Sequence, residues 1–307
     1  MQLVFLLYAE SKKDIGVFNM KSKVYFTKTI SSESVVNIYN ALQKPLPGNV
    51  AIKVHSGEVG NQNFLRPDFW APLINLVKGT VVECNTAYEG KRNTTAKHIE
   101  TMKQHGWSKM FPVDIMDSEG PDLELPIKNG KCINVNYVGK NLCNYDSLLV
   151  LSHFKGHPMG GFGGAVKQLS IGIASSYGKA YIHGAGDPTK IWTADHNSFL
   201  ASMADAASSI TDYFKDNIIY INVMKNMSVD CDCCAIAEDP CMQDIGILAS
   251  TDPVAIDRAC LDLVYAAKDD PGQSHLLERI ESRNGAYTVD VAAELGIGTK
   301  EYELITI

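Results

Sequence analysis

The chain of 307 residues contains no apolar run long enough to cross a membrane. The longest such run near the N-terminus, LVFLLYA at 3–9, is far shorter than the ~20 residues that a membrane helix needs. No basic region precedes it and no small-residue cleavage site follows it, so it does not resemble a secretory signal. We therefore expect a cytoplasmic protein without a membrane partner.

An excess of positive charge is also missing, because 28 Lys and Arg residues stand against 35 Asp and Glu residues and give a net charge of -7. Such a chain is not attracted to a polyanion, and nucleic-acid binding is not expected. The composition, with 45% hydrophobic and 21% charged residues, is typical of a globular fold with a substantial core. A disordered or fibrous chain is excluded on the same ground.

The common nucleotide-binding motifs are absent. After Gly161 and Gly163, the third position of the dinucleotide fingerprint is Val166 instead of Gly or Ala, and no G-x-x-x-x-G-K-[ST] segment occurs. A conventional nicotinamide or ATP site is therefore not expected.

Cysteine is sparse, but four of the eight cysteines, Cys231, Cys233, Cys234 and Cys241, lie close together in the sequence. In a reducing compartment such a cluster indicates a metal site or a redox pair before it indicates a disulfide. Thiolates bind zinc or iron, and the spacing differs from the ferredoxin run. A mononuclear site or a redox pair is therefore favoured over a complete four-iron cluster, and small apolar thiols in a loop are the alternative.

What the chain does contain is an alternation of short β-branched or apolar runs with longer amphipathic ones. The predicted strands are 50–56, 80–86, 147–153, 218–224 and 244–250, and the predicted helices are 68–77, 94–106, 198–214 and 253–267. Asp252 as N-cap and Pro253 at the first helical position mark the start of the last helix. This order predicts an α/β fold with Rossmann-like layers, in which helices cover both faces of a mixed or mostly parallel sheet.

The absence of repeats, low-complexity tracts and linkers favours a single compact α/β domain over 22–307. Residues 1–21 are expected to be an N-terminal extension or an edge strand. Two lobes that meet near 145–185 are the alternative.

The densest group of candidate residues is a glycine-rich loop that leads into a helix. Gly160, Gly161, Gly163 and Gly164 allow a close approach of the backbone to a ligand, and a helix N-terminus favours an anion. Lys167 lies in the first helical turn, where a cation opposes the helix dipole, so it is expected to face a carboxylate, a phosphate or a covalent adduct. A tight turn beside a surface lysine is the alternative.

Polar residues also follow several predicted strands. His153 and His157 lie at the end of one strand, His55 ends another, and His183 ends a later apolar run. Such side chains converge on a crevice, where they can act as acid, base or metal ligand, and Lys53 belongs to the same edge. A hydrogen-bonded structural role is the alternative for each histidine.

These segments together resemble a known family. The stretches ECNTAYEGKRNTT, LSHFKGHPMGGFGGAVKQLSIGIASSYGKAYIHGAG and CDCC followed by DIGILASTDPVAIDRACLDLV are similar to the family of domain of unknown function 362, whose members are often labelled iron-sulfur center proteins. The resemblance covers about 22–268. The ferredoxin-type insertion that many relatives carry after the segment matching KAYIHGAG is absent, so an iron–sulfur cluster would depend on the CDCC region.

A more remote resemblance concerns mechanism. The order His157, Lys167, His183 around GFGGAVK is similar to the core of nickel-pincer lactate racemases. That resemblance implies that Lys167 tethers a pincer nucleotide, that His183 ligates nickel, and that His157 is the proton-transfer base.

We therefore predict a metal- or metallocofactor-binding protein, with iron, zinc, nickel or an iron–sulfur cluster, that performs redox or proton/hydride transfer on a small organic acid. It would be an oxidoreductase or a racemase-like isomerase. The predicted catalytic residues are His157, Lys167 and His153. The predicted cofactor-binding residues are the four loop glycines with Lys167, Lys53 and His55. The predicted metal ligands are His183 and the four clustered cysteines. The alternatives are a non-catalytic metal-binding or iron–sulfur module serving a redox partner protein, and a protein that binds a phosphorylated metabolite.

Overall fold

A computed structural model describes residues 21–120 and 122–307, so the expected extension at the N-terminus lies outside the described residues except for Lys21. The strands, in chain order, are β1 (Ser22–Thr27), β2 (Val50–Lys53), β3 (Thr80–Glu83), β4 (Val113–Ile115), β5 (Leu123–Pro126), β6 (Val135–Val138), β7 (Ser147–His153), β8 (Lys155–His157), β9 (Gly161–Gly163), β10 (Ile218–Met224), β11 (Gly246–Ser250) and β12 (Tyr302–Thr306).

The helices connect these strands and cover the sheet. They are α1 (Ser32–Ala41), α2 (Pro67–Val77), α3 (Thr95–Gln104), α4 (Trp107–Met110), α5 (Ala165–Ile173), α6 (Ser176–His183), α7 (His196–Phe214), α8 (Pro253–Ala266), α9 (Gln273–Ser282) and α10 (Ala286–Glu294), with short 3-10 helices at Lys140–Asn144 and Pro188–Lys190. In the described part of the chain, no helix combines the length and the apolar character that a bilayer crossing requires.

Eight of the strands form one sheet in the order β12-β1-β11-β10-β7-β2-β3-β4. The ladders are parallel except on the two sides of β11, which is antiparallel to both β1 and β10. The strands β2, β3, β7 and β10 therefore end at one common edge. Loops that follow parallel strands in this way form the usual ligand crevice of an α/β sheet.

Alternating residues of the central strands enter two different cores. Leu149 and Leu151 pack with α1, α2, α3 and α4 on one face. Leu148 and Val150 pack with α5, α7 and α8 on the other. Because a strand has a side-chain period of two and both sides are apolar, the sheet must be covered on both faces. The predicted α/β fold class is thus confirmed.

The predicted helix start at Asp252 is also found, since its carboxylate accepts bonds from the Val254 and Ala255 amides at 2.9 Å. The expectation that His183 follows a strand is wrong. Ser175 caps a helix by accepting from the Gly178 amide, and His183 is the last residue of that helix, α6.

Candidate functional site

A cavity of about 280 Å³ opens at the common edge where β2, β3 and β7 end. The loops after these strands form one wall, and α5 and α6 form the other. The residues with ionisable or aromatic side chains around it are Lys53, His55, Glu83, Cys84, Tyr88, Arg92, His157, Lys167, Lys179, His183, Trp192, Cys233 and Cys234.

The cavity is cationic, and its strand side carries one lysine, one arginine and one carboxylate: Lys53, Arg92 and Glu83. The Lys53 ammonium lies 2.6 Å from Glu83, and Arg92 lies 3.2 Å from Glu58 and 3.9 Å from Glu83. Burial raises the pKa of Glu83, but Lys53 and the other nearby cationic groups outweigh burial and hold that pKa well below its usual range. The Glu83 carboxylate is thus ionised and neutralises only part of the positive charge.

Two further lysines supply positive charge that no carboxylate neutralises. The Lys179 amine donates to the carbonyls of Ala174, at 2.6 Å, and Cys84, at 3.4 Å. Within 21–120 and 122–307, neither Lys167 nor Lys179 has an acidic side chain within ion-pair distance. An anion that enters the cavity would therefore meet two ammonium groups without carboxylate partners.

One ring nitrogen of His183 has no hydrogen-bond partner among the residues that the structure describes. Its Nδ1–H donates to the Lys179 carbonyl at 2.7 Å, so the lone pair is on Nε2. The ring stacks on Phe199, with centroids 4.9 Å apart. Burial lowers the pKa of His183 to about 4, so the imidazole is neutral at pH 7. A neutral imidazole with a free Nε2 can accept a proton or bind a metal.

His157 and His55 have the opposite tautomer. The Nδ1 of His157 accepts bonds from the amides of Met159, at 3.1 Å, and Gly160, at 2.8 Å. The Nδ1 of His55 accepts from the Gly57 amide at 3.2 Å. Burial lowers the pKa of both histidines to about 4, so their single proton is on Nε2 and each ring is a hydrogen-bond donor.

Three possible metal-ligand atoms, one of them from His157, lie close together beside the cavity. One ring nitrogen of His157 and the sulfurs of Cys231 and Cys233 lie within 4.8 Å of one another. Cys234 lines the cavity beside them, but Cys241 bonds to the carbonyl of Met227 elsewhere in the loop. Of the four predicted cysteine ligands, the structure thus groups Cys231 and Cys233 with His157 and leaves Cys241 outside that group.

His153 does not line the cavity. Its Nδ1–H donates to both carboxylate oxygens of Asp232 at 3.0 Å, and its Nε2–H donates to the Lys225 carbonyl. Lys155 is 3.0 Å from the same carboxylate. His153 has no nitrogen left for a substrate proton, and the group of His153, Asp232 and Lys155 instead anchors the cysteine loop to β7 and β8.

The glycine-rich loop packs against protein rather than against the cavity. The amides of Ala165 and Val166 donate to the Asp257 carboxylate at 2.7 and 2.9 Å, so they are unavailable to an outside anion. A side chain on Gly164 would collide with that carboxylate. Gly161, at a φ of +77°, approaches the backbone of Gly285. None of the four loop glycines lines the 280 Å³ cavity.

Of the residues singled out from the sequence, those on the cavity are Lys53, His55, His157, Lys167, His183, Cys233 and Cys234. Sequence reasoning missed Glu83, Lys179 and Trp192. A charged residue within a predicted strand, as Glu83 is within 80–86, was an available signal, and β3 ends at this residue. Lys179 and Trp192 had no such signal, because a lysine within a helix and a tryptophan in a turn are usually surface or core residues.

The chain is similar to several known proteins. A family model described as domain of unknown function (DUF362) matches residues 50–262. No curated protein matches. Similar solved structures include the lactate racemase apoprotein from Thermoanaerobacterium thermosaccharolyticum, with 17% identity, a TM-score of 0.41, and coverage of 65% of this chain and 50% of that one. A protein from Thermotoga maritima has 13% identity, a TM-score of 0.43, and coverage of 86% and 58%. The chain thus spans 50% and 58% of the lengths of these two proteins.

Proposed function

Because the chain belongs to the DUF362 family, whose description assigns no function, we propose its function from the chemistry of the cavity: it binds a small organic acid and moves a proton at the carbon beside a carbonyl group. A 2-oxo acid is the simplest such compound. The observation that carries this proposal is the pair of ammonium groups without carboxylate partners, Lys167 and Lys179, beside a histidine with a free Nε2.

The charges of the cavity support binding of a carboxylate. The Lys179 ammonium is buried and bonded only to neutral carbonyls, and Lys167 is half-buried without an acid beside it. An entering anion supplies the missing counter-charge, and the low dielectric strengthens the attraction. The chain as a whole carries a net charge of -7, so this positive region is local. Electrostatic attraction therefore favours a small anion that fits inside over a large anionic surface.

The histidine tautomers support proton transfer. His183 can take the proton from the C–H bond, whose electron pair then forms the enolate, and the nearby ammonium groups stabilise the charge on the enolate oxygen. The His183 imidazolium formed in this step can return the proton to carbon, and His157, with its proton on Nε2, can donate a hydrogen bond to the bound acid. A bound anion close to His183 also raises the pKa of its imidazole toward 7, because negative charge favours the imidazolium form.

The family resemblance implies several metal groups, and the residues present suit some of them and not others. A four-cysteine cluster does not fit, because Cys241 bonds elsewhere. The thiols of Cys231 and Cys233 suit a soft ion such as zinc or iron. The Nε2 of His157 lies 3.9 Å from the Cys233 sulfur and could be a third ligand only without its proton. A neutral ring would then carry that proton on Nδ1, which could no longer accept its two amide bonds. The tautomer of His183 is the one that metal-binding histidines usually have. A bound ion would polarise a substrate oxygen.

The second candidate function, a metal-binding module, is favoured by the three grouped donors of Cys231, Cys233 and His157. In this case the cavity residues would serve only to admit a ligand to the ion.

Proton transfer is tested by proton NMR of pyruvate and 2-oxobutyrate in D₂O. We expect the protein to exchange the C3 protons for deuterium, and His183→Gln to slow this exchange at least a hundredfold because the proton acceptor is gone. Lys167→Met should raise KM about tenfold, because one of the two ammonium groups that attract the anion is removed. The fold should not change, because this amine bonds to no described group and its loss leaves no partner unsatisfied. The matched control is Lys190→Met, on an exposed 3-10 helix. Exchange that is absent, or equal in His183→Gln, would contradict the proposal.

Metal binding is tested by titrating zinc into protein stripped with a chelator, in competition with a chromophoric chelator. We expect Cys231→Ser and Cys233→Ser each to weaken zinc binding at least a hundredfold, because two soft donors cannot be replaced by a hydroxyl. Cys241→Ser should stay within twofold of the unmodified protein. Equal losses in all three variants would show that the ion is held elsewhere.

A further inference from the structure

An aromatic pair lies at the mouth of the cavity and has no part in the proposed proton transfer. The rings of Tyr88 and Trp192 have centroids 6.1 Å apart and are tilted by 53°. Trp192 is 64% exposed, whereas Trp70 and Trp107 are almost fully buried. A large apolar ring left in solvent beside a cavity calls for an explanation, since burying it would stabilise the fold.

Trp192 is also held in place by its turn. The amides of Thr193 and Ala194 both donate to the Lys190 carbonyl at 3.0 Å, and the preceding 3-10 helix is capped by Asp187. The backbone on both sides of Trp192 is thus hydrogen-bonded. The ring is presented from a fixed position and not from a free loop.

The space near these rings extends beyond what a short acid needs. A second cavity of about 600 Å³ adjoins the first and shares Thr86, Tyr88 and Trp192 with it. Its rim is polar, with Glu89, Asn93 and Ser176. A three-carbon acid at Lys167 and Lys179 would leave both the aromatic pair and this second cavity unused.

Given the proposed binding of an organic anion, on which this inference rests, the geometry points to a ligand of two parts. Its anionic part enters the inner cavity beside Lys167 and Lys179. Its second part is a planar ring, aryl or heteroaryl, that packs on Tyr88 and Trp192. Ring contacts of this kind add stabilisation beyond the buried area alone, so Trp192 would decide which anion is selected.

Calorimetry with paired probes tests the inference. We compare phenylpyruvate with pyruvate and adenosine monophosphate with ribose 5-phosphate, so that each pair shares an anion and differs in the ring. In at least one of the two pairs, phenyl or adenine, we expect the probe with the ring to bind at least tenfold tighter than the probe without it. Trp192→Ala should abolish that advantage and change binding of the ringless probe less than twofold. Tyr265→Ala, an exposed aromatic on α8, is the matched control.

Acrylamide quenching gives a second measurement that does not depend on affinity. The bound ring should protect the exposed Trp192 from quenching, whereas the buried Trp70 and Trp107 contribute little to the change. Equal binding of both members of each pair, or an advantage that survives in Trp192→Ala, would overturn the inference but leave the anion site intact. If none of the four probes binds, the proposed anion site itself fails.

Discussion

Replacing Asp232 with alanine is expected to lower the free energy of unfolding by about 3–5 kcal/mol. The carboxylate is 1% exposed and receives bonds from His153 and Lys155, each at 3.0 Å. Burial opposes its ionisation, but the contacts with His153 and Lys155 outweigh burial and hold the pKa of Asp232 well below its usual range. Without it, the Lys155 ammonium is left buried without its counter-charge and the His153 ring without its acceptor. Urea denaturation at pH 7.5 measures the change.

Two variants in the same loop sharpen this test. Asp239→Ala removes an exposed carboxylate, and we expect its effect to stay within about 0.5 kcal/mol, as is usual for surface positions. Asp232→Asn keeps the shape of the side chain and one acceptor oxygen, so its free energy of unfolding should lie between those of Asp232→Ala and Asp239→Ala. If Asp232→Ala and Asp239→Ala were equally stable, His153 and Lys155 would not depend on this carboxylate and the anchoring role would be wrong.

The stability of the protein is expected to fall steeply as the pH decreases from 6.5 to 4. Burial lowers the pKa of His55, His157 and His183 to about 4 and that of His98 to about 3. The unfolded chain has ordinary histidines, so it binds protons in this window that the folded chain does not, and stability rises with pH there. Each unit of difference is worth about 1.4 kcal/mol per group.

Together, these histidines lower the free energy of unfolding by on the order of 5–10 kcal/mol by pH 4, which is comparable to the whole stability of a typical domain. Asp257 acts in the opposite direction, because burial raises its pKa to about 6 and protonation then favours the folded state. One carboxyl does not offset four imidazoles. Unfolding in urea at a series of pH values should therefore show most of the loss between pH 6 and 4.

A single-site comparison assigns this pH dependence to the buried rings. His98→Gln should flatten the slope of stability against pH, whatever its stability at pH 7.5. His275→Gln, at an exposed position on α9, should leave the slope unchanged. A flat profile from pH 7 to 4 in the unmodified protein would mean that the histidines are not neutral in the folded state.

The family and the fold class were predictable from the sequence, and both predictions are confirmed. The strand 147–153 and the helix start at Asp252 were predicted at the residues where they occur, because a fully apolar run and an N-cap followed by proline are local signals. His183 was placed after a strand and lies on a helix. Its preceding residues are apolar enough for either element, and the cap at Ser175 decided between them.

The candidate site was predictable in part. His157, Lys167 and His183 were expected to share one hollow, and all three line the same cavity. The glycine loop was expected to hold an anion, but Asp257, far along the chain, occupies the first amides of α5. No pattern near residue 164 reveals a carboxylate at 257. His153 is likewise bonded to Asp232, which is remote in sequence and which no pattern near residue 153 reveals.

The sequence by itself determined the layered α/β fold, because side-chain periodicity and end caps act over a few residues and each segment carries its own signal. It also supplied the chemical types that the cavity uses. Only the tertiary structure decided which lysines lack a counter-ion and which histidines face the cavity beside them. Those properties depend on hydrogen bonds and charges between residues that are remote in sequence, and they exist only once the strands of the sheet bring the loops to one edge.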